Sequence, residues 1–245
     1  MAGETVKTEA ICLGIHPWSR TSHIVSWLTP AGKVTTVVKG AVRPKSAFLG
    51  QYDLNYTCEI LYYARAKGEL HALRECMPLV LRESLRADYR ALALAEYART
   101  LASALAPAGP HCADWFDALT RFLDRLCPIR AEDLVVAMVR HELDVLRLAG
   151  LAPDFSGFDP DSPFSEFSIE SAAFGLETGR RLRIPLETAK FLSNPAVTPK
   201  NSQIPLDAAR VIGVFYAFHL DCAADVRRSV LALISNPQEE RKQTS

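Results

Sequence analysis

The stretch from His16 to Gln51 contains basic side chains but no Asp and no Glu. Its five cations are Arg20, Lys33, Lys39, Arg43 and Lys45. Because the whole chain carries 28 basic and 28 acidic residues, this stretch concentrates positive charge that the totals conceal. Phosphate groups bind Lys and Arg where no carboxylate competes for them. The pattern therefore predicts a polyanion-binding surface, and the alternative is an ordinary solvated charged face.

Two aromatic residues in predicted loops, Trp18 and Phe48, accompany these cations. Proteins that bind single-stranded nucleic acid combine a cationic surface with aromatic rings on which bases stack. Trp27 also lies in this stretch but within a predicted strand, where a core position is expected. We therefore predict a DNA-binding site made of the five cations with Trp18 and Phe48. If all five cations contact phosphates of a single strand, the log–log dependence of affinity on salt has a slope of about −3.5.

Motifs for enzymatic chemistry are missing from the sequence. It contains no Gly-rich phosphate loop, no HExxH zinc motif and no GxSxG nucleophile elbow. His141 precedes Glu142, but no second His follows at the zinc spacing. We therefore predict a protein that is not an enzyme, with no catalytic residue, no metal and no cofactor.

Acidic residues cluster in one later segment of the chain. They are Asp154, Asp159, Asp161, Glu166 and Glu170. Their spacing does not match a Ca²⁺-binding loop, because Gly157 precedes the acidic pairs instead of following them. We expect a solvated acidic loop that faces away from nucleic acid. A hydrolase or nuclease would need such a cluster and is the disfavoured alternative.

Arginine residues recur in the second half of the chain, where a guanidinium could bind a carboxylate in bidentate fashion. We name Arg121, Arg125 and Arg140 as candidates for binding a partner, and the run 180–183 as a second anion-binding edge. The alternative function is accordingly a non-catalytic interaction scaffold. In it, the barrel or an arginine pocket within 115–147 or 205–228 binds the acidic tail of a partner.

Composition and length predict a folded protein, because 49% of the 245 residues are hydrophobic. No apolar run approaches the roughly 18 residues of a membrane span, and the N-terminus does not resemble a signal peptide. We therefore expect a cytoplasmic protein of the bacterial nucleoid with no membrane partner. No CxxC pair occurs, so reduced and mostly buried thiols are expected. The cysteines are Cys12, Cys58, Cys76, Cys112, Cys127 and Cys222.

Five short segments before residue 80 have the composition and alternation of β-strands. They are 6–15, 23–28, 33–40, 54–64 and 69–76. Because no helix-length segment separates them, a small barrel is predicted, and a five-stranded OB-fold is favoured over an SH3-like barrel. Apolar residues at helical spacing predict helices in the rest of the chain. Those segments are 84–106, 115–126, 131–149, 186–194 and 205–222, the last continuing or breaking into 226–234.

The predicted architecture is an OB-fold followed by an all-helical domain with an irregular insert. Gly150 lies where a helix C-cap is expected, and a weak hairpin is predicted at Phe167–Leu176. The predicted domains are 1–80 for the barrel, 81–150 and 186–235 for the helical domain, 151–185 for the insert, and 236–245 for a flexible tail.

Three segments resemble the RecO family of bacterial DNA repair proteins. They are AICLGIHPWSRTSHIVSWLTPAGKVTTVVKGAVRPKS (10–46), GELHALRE (68–75) and HELDVLRLAGLAPDF (141–155). The most specific part is the loop of KGAxRPKS type at 39–46. The matched basic positions are Lys39, Arg43 and Lys45 in this loop, Lys33 in a Gly-Lys turn and Arg20 in the first loop.

The resemblance implies an N-terminal OB-fold, a helical C-terminal domain and no enzymatic turnover. It also implies binding and annealing of single- and double-stranded DNA. The implied partners are RecR and the C-terminal tail of single-stranded DNA-binding protein, with which RecO proteins help to load RecA recombinase onto coated strands.

Two departures from the family pattern are visible. Many members bind zinc through four cysteines after the third helix, whereas 151–185 here contains neither Cys nor His. We therefore exclude that zinc and expect its hairpin to be held by phenylalanines or to be loosely ordered. The phenylalanines are Phe155, Phe158, Phe164, Phe167 and Phe174. In addition, Val42 replaces a basic residue of the loop, which predicts lower DNA affinity or a shared role for helical arginines.

Overall fold

The computed structural model of the chain describes residues 4–65, 70–109, 112–175, 179–220 and 224–235. It contains two compact units, Met1–Pro128 and Ile129–Ser245. Leu176, Cys222 and the predicted tail 236–245 lie outside the described residues. The finer domain boundaries inferred from the sequence remain predictions.

Strands of the first unit form a closed barrel in the order β1-β2-β3-β5-β4. Their bounds are Glu4–Ser19 (β1), Ser22–Thr29 (β2), Gly32–Val38 (β3), Thr57–Ala64 (β4) and Leu70–Val80 (β5). Strands β3 and β5 run parallel, whereas the other neighbours are antiparallel. A closed five-stranded barrel followed by helices confirms the predicted OB-fold architecture.

Strand β1 is longer than predicted because its two ladders lie on successive parts of the strand. Its first part, up to Ile11, pairs with β4, and its later part, from Ile11 to Ser19, pairs with β2. The register shifts between Cys12 and Gly14, which marks a β-bulge where the strand bends. Buried and exposed positions no longer alternate near the end of β1, where residues His16–Ser19 are all exposed.

The barrel interior is filled by aliphatic, aromatic and small side chains from all five strands. Trp27 is fully buried there, and its indole Nε1–H donates to Thr36 Oγ1 at 2.9 Å. This confirms the expected core position of Trp27. Cys12 and Cys58 are buried in the same core as free thiols, and burial raises the pKa of Cys12 above its usual range. The thiol of Cys12 is therefore neutral at pH 7.

Two helices follow the barrel in the first unit, Tyr89–Leu105 (α1) and Ala113–Leu126 (α2). The helix predicted at 84–106 is divided, because Asp88 is extended and separates a short 3₁₀ turn at Glu83–Ala87 from α1. The Asp88 carboxylate accepts a hydrogen bond from the Arg90 backbone N–H at 2.9 Å, as an N-cap does.

Buried Arg82 connects the barrel to α2. Its Nη1 donates to the Asn55 carbonyl at 2.7 Å and to Thr57 Oγ1 at 2.9 Å, at the start of β4. Its Nε pairs with Asp124 Oδ1 of α2 at 2.8 Å. Because a buried guanidinium needs several acceptors, these bonds hold the barrel and the helices together as one unit.

The second unit combines helices with a small sheet. Its elements are Leu134–Leu148 (α3), Phe164–Ser168 (β6), Ala173–Phe174 (β7), Arg181–Pro185 (β8), Leu186–Ser193 (α4), Gln203–His219 (α5) and Ala224–Ile234 (α6). Gly150 has a φ of 72° directly after α3, which confirms the predicted C-cap. His141 is buried in α3, and burial lowers its pKa to about 3, so its ring is neutral at pH 7.

The insert contains one strand more than the predicted hairpin. Strand β8 pairs with β6, so the sheet order is β7-β6-β8. Four of the predicted phenylalanine rings contact one another, with centroids of Phe155 and Phe167 4.8 Å apart and those of Phe167 and Phe174 5.3 Å apart. Phe158 contacts Phe174, whereas Phe164 lies under the Arg183 guanidinium. Aromatic packing thus orders most of this segment.

A buried ion pair connects α3, α5 and α6. Arg227 binds Glu142 in bidentate fashion, with Nε–Oε1 at 2.7 Å and Nη2–Oε2 at 2.9 Å. Arg227 also donates to the Ala209 carbonyl of α5 at 2.7 Å. Gly213 leaves room for it, since a Cβ at this position would collide with the Arg227 guanidinium.

Within the ranges that the structure describes, no helix has the length and apolar character needed to cross a bilayer.

The variant Glu142→Ala should lower the free energy of unfolding by about 3–5 kcal/mol, because it leaves the buried Arg227 charge without its carboxylate. Urea titration followed by circular dichroism measures this change. The control is Glu187→Ala, which removes exposed ion pairs with Lys190 and Lys200 and should cost about 1 kcal/mol or less. Equal effects of the two variants would show that the buried pair does not organise the second unit.

Candidate nucleic-acid interface

Two loops of the barrel meet at one end of the sheet. The Val42 backbone N–H donates to the Thr21 carbonyl at 3.4 Å, and the Gly40 N–H donates to Ser22 Oγ at 3.2 Å. The turn between β1 and β2 is thereby joined to the loop that follows β3. We call this surface, formed by residues 16–22 and 39–49, the barrel tip.

The barrel tip brings together Arg20, Lys39, Arg43 and Lys45, all of them exposed. None of these four cations pairs with a carboxylate anywhere in the described ranges of the chain. In contrast, many other basic side chains of the protein have carboxylate partners, such as Lys7 with Glu59 at 2.8 Å. The tip is therefore a locally uncompensated positive surface.

Lys33 lies away from the barrel tip. It pairs with Leu28 near the beginning of β3, and its Nζ donates to the Ser103 carbonyl of α1 at 3.0 Å. Six strand positions of about 3.3 Å each separate it from Lys39, which corresponds to about 20 Å. The structure therefore groups four of the five predicted cations and places Lys33 elsewhere.

The two aromatic residues predicted for the site differ in exposure. Trp18 is 61% exposed at the end of β1. Phe48 is half-buried because it packs against the barrel core. Between the two, only Trp18 presents most of its ring to solvent, and Phe48 instead anchors the loop that carries the cations.

The loop after β3 is ordered by successive turns. Backbone N–H groups of Arg43, Ser46 and Leu49 each donate to the carbonyl three residues earlier, at 3.1, 2.9 and 3.3 Å. Further along, the Tyr52 hydroxyl is 2.9 Å from His23 Nδ1 of β2. Burial raises the pKa of Tyr52, so its hydroxyl stays neutral and available for this bond. The cations are thus held on a defined backbone.

Sequence reasoning missed a cation–aromatic pair on the barrel wall. The Arg74 guanidinium of β5 lies 4.3 Å from the centroid of the Tyr63 ring of β4. The register of β4 and β5 was needed to find this pair, because the two residues are far apart in the sequence. Exposed Glu75 is the next residue on β5, so the pair lies on a wall of mixed charge and not on the carboxylate-free tip.

The arginines predicted to bind a partner belong to different units. Arg121 and Arg125 are exposed on α2 of the first unit. Arg140 belongs to α3 of the second unit, where its Nε donates to the Pro195 carbonyl at 2.6 Å. Its guanidinium therefore already binds the segment between α4 and α5.

The predicted anion-binding edge at 180–183 is partly used within the second unit. Arg181 pairs with Glu166 at 2.6 Å, and Arg183 covers the Phe164 ring. Exposed Arg180 instead lines a cavity of about 470 Å³ between α5 and α6. Arginine and apolar side chains line this cavity together, among them Arg210, Arg228, Val214, Phe218 and Leu231.

Comparisons with known proteins decide the family. Residues 1–81 match the family model "Recombination protein O N terminal", and residues 86–157 match "Recombination protein O C terminal". The chain belongs to the RecO family. One relative is the "DNA repair protein RecO" of Alkaliphilus metalliredigens (strain QYMF), with 28% identity over 150 residues. The alignment covers 60% of this RecO-family chain and 59% of the relative, so it spans about three fifths of the relative's length.

The zinc site that the RecO resemblance implies for many members does not fit this chain. Segment 151–185 has no Cys or His ligand, and no group of three His, Cys, Asp or Glu in the described ranges could hold a metal ion. The phenylalanine cluster occupies the interior of the small sheet instead. We therefore assign no role to zinc here.

Proposed function

We propose that this RecO-family chain is a DNA repair and recombination mediator that binds single- and double-stranded DNA at the barrel tip. The observation that supports the proposal most directly is the grouping of Arg20, Lys39, Arg43 and Lys45 without a carboxylate partner in the described chain. Each such cation can neutralise one phosphate and release its condensed counterions. The contact is with the backbone and reads no sequence.

Strand annealing follows from the same electrostatics. Two complementary strands repel each other through their phosphates, and a protein that neutralises these charges lowers the repulsion between them. This step needs neither a nucleophile nor a metal, so the proposed mediator acts without catalytic turnover. Partial neutralisation also leaves the bases free to pair.

The family resemblance supplies the partners of this proposal. They are RecR and the C-terminal tail of single-stranded DNA-binding protein, with which the chain would help to load recombinase onto coated strands. An acidic tail and a DNA backbone are both polyanions, so either can be attracted to a cationic surface before specific contacts form.

Changing Arg43 and Lys45 together to Glu should weaken binding of a single-stranded oligonucleotide at least about 25-fold at about 0.1 M salt. Two phosphate contacts are lost, each contributing about 0.7 to the salt slope, and two repulsions are added. Fluorescence anisotropy with a labelled oligonucleotide measures the affinity, and thermal unfolding shows that the fold is retained.

The matched control reverses the same number of charges on α2 by changing Arg121 and Arg125 to Glu. The affinity of this control for the oligonucleotide should stay within about 3-fold of that of the unmodified protein, because the changed charges lie outside the tip. Unchanged affinity of the tip variant at low salt, or equal losses in both variants, would rule out the tip as the binding surface.

The dependence of DNA affinity on salt concentration distinguishes the four tip cations from Lys33. Four phosphate contacts predict a slope of about −2.8 for the unmodified protein on single strands, in place of −3.5 for five. Lys45→Ala should reduce the slope to about −2.1, whereas Lys33→Ala should leave it unchanged. Titrations at several salt concentrations test this, and a shallower slope for Lys33→Ala would place that residue in the interface.

A second candidate function, supported by the cavity between α5 and α6, is a scaffold that binds an acidic partner tail. Its wall combines Arg180, Arg210 and Arg228 with the apolar side chains of Val214 and Phe218. Arg210 also pairs with Asp207 at 2.8 Å and Arg228 with Asp225 at 3.6 Å, so a partner carboxylate would compete with these local ion pairs. Guanidinium groups beside an apolar surface suit a terminal carboxylate next to a hydrophobic residue. Most of the residues that line this cavity belong to the range 205–228 predicted from the sequence, whereas Arg180 and Leu231 lie outside that range.

Changing Arg210 and Arg228 together to Glu should weaken binding of a short acidic peptide at least about 10-fold, as expected for losing a charge-assisted contact of about 1.5 kcal/mol. Isothermal titration of the full chain measures this. The same peptide with an amidated C-terminus is the control and should bind more weakly to the unmodified protein. Equal binding of both peptides would contradict carboxylate recognition in the cavity.

A further inference from the structure

Trp18 occupies an unusual place in the β1–β2 hairpin. Pro17 pairs with His23 and Ser19 pairs with Ser22, so the ladder contains a second register shift at Trp18. A bulge of this kind leaves the extra residue unpaired and redirects its side chain. The first bulge of β1 bends the strand around the barrel, whereas this one turns a tryptophan outward at the end of the hairpin.

The exposure of Trp18 is not explained by packing in the barrel. Trp18 is 61% exposed, whereas Trp27 and Trp115 are buried. Exposing so large an apolar ring costs free energy unless a ligand covers it. The backbone on both sides of Trp18 is paired, and a tryptophan side chain has only two torsion angles to fix, so little conformational freedom is lost when a ligand stacks on the ring.

The position of Trp18 relative to the cations points to the kind of ligand. Arg20 follows two residues later, and the hydrogen bonds of Thr21 and Ser22 join this hairpin to the loop carrying Arg43 and Lys45. A strand whose phosphates lie on the cations would therefore have its bases within reach of one aromatic ring. Nucleobases offer a flat π-surface that stacks on tryptophan whatever their sequence.

Only a single strand can use this ring. In a duplex the bases are stacked on each other and the phosphates face the protein. The cations can therefore contact phosphates, whereas Trp18 finds no free base on which to stack. In a single strand the bases can turn away from their neighbours and stack on a side chain. The cations can therefore bind both single- and double-stranded DNA, whereas Trp18 can stack only on a base of a single strand.

We propose that Trp18 is the residue by which the barrel tip prefers single-stranded over double-stranded DNA, through stacking of one unpaired base. This inference rests on the proposed function, because it assumes that DNA binds at the tip. Stacking on Trp18 adds a non-electrostatic contribution to single-strand affinity, and this contribution persists when salt weakens the phosphate contacts.

The test compares Trp18→Ala and Trp18→Phe with the unmodified 245-residue chain. Three probes of equal length are titrated by anisotropy: a single strand, a duplex whose ends are closed by non-nucleotide linkers so that they neither fray nor offer an unpaired base, and an abasic strand with the same phosphates. Trp18→Ala should weaken single-strand binding about 5- to 100-fold and change the other two affinities less than about 2-fold. Trp18→Phe should retain most of the single-strand affinity.

The matched control is Met77→Ala, which removes another exposed apolar side chain of the first unit, on β5. It should leave all three affinities unchanged. Equal losses on all three probes for Trp18→Ala, or no loss on the single strand, would overturn the proposal. If the unmodified protein bound none of the probes, the proposed function itself would fail, so the two failures are distinguishable.

A second measurement avoids mutation altogether. Of the three tryptophans in the chain, Trp18 alone is exposed, so quenching by a solvent-borne agent such as acrylamide reports on it. A saturating single strand should protect this emission from acrylamide, and the closed duplex should not. Protection by both forms, or by neither, would contradict selective stacking.

Discussion

Closure of the barrel depends on β1, whose first part pairs with β4 and whose later part pairs with β2. The strand bends at the bulge next to Leu13, where one residue lies outside the regular pairing. The Leu13 carbonyl there accepts a hydrogen bond from the Arg99 guanidinium of α1. Arg99 is largely buried, and this burial lowers the pKa of its guanidinium below the usual range. A helix of the first unit thus supports the bend on which closure depends.

The surface that we propose for DNA binding follows from this closure. Because β1 turns from β4 to β2, its hairpin extends beside the end of β3, and the loops after β1 and β3 become neighbours. Charges farther apart than about 10 Å are screened from each other in physiological salt. Lys33, about 20 Å from Lys39 along the strand, therefore adds little to the potential of the tip.

The second unit is organised by different means. Helices α3, α5 and α6 share the buried pair of Glu142 and Arg227, whose two hydrogen bonds and extra carbonyl contact compensate part of its desolvation. The small sheet is held by phenylalanine rings in a family where many members use a metal. Ring stacking needs no ligand residues, which explains how β6 to β8 form without Cys or His in this segment.

The barrel tip and the arginine-lined cavity differ in how far the sequence alone predicts them. The carboxylate-free stretch from His16 to Gln51 is a property of consecutive residues, so inspection of the chain reveals it. The cavity combines Arg180 with Arg210 and Phe218, which are separated along the chain and meet only after folding. Likewise, the pairing of Arg74 with Tyr63 depends on a strand register that no local pattern specifies.

The sequence by itself determined the strands of the barrel, the main helices, the C-cap at Gly150 and the location of the positive charge. These features depend on alternation, helical spacing and turn residues, which are local. Only the tertiary structure decided that Lys33 lies away from the tip, that Phe48 packs inward and that Trp18 points outward. Those outcomes depend on a β-bulge, on the register between strands and on contacts between side chains that are distant in sequence. The local pattern of a single segment does not determine such long-range packing.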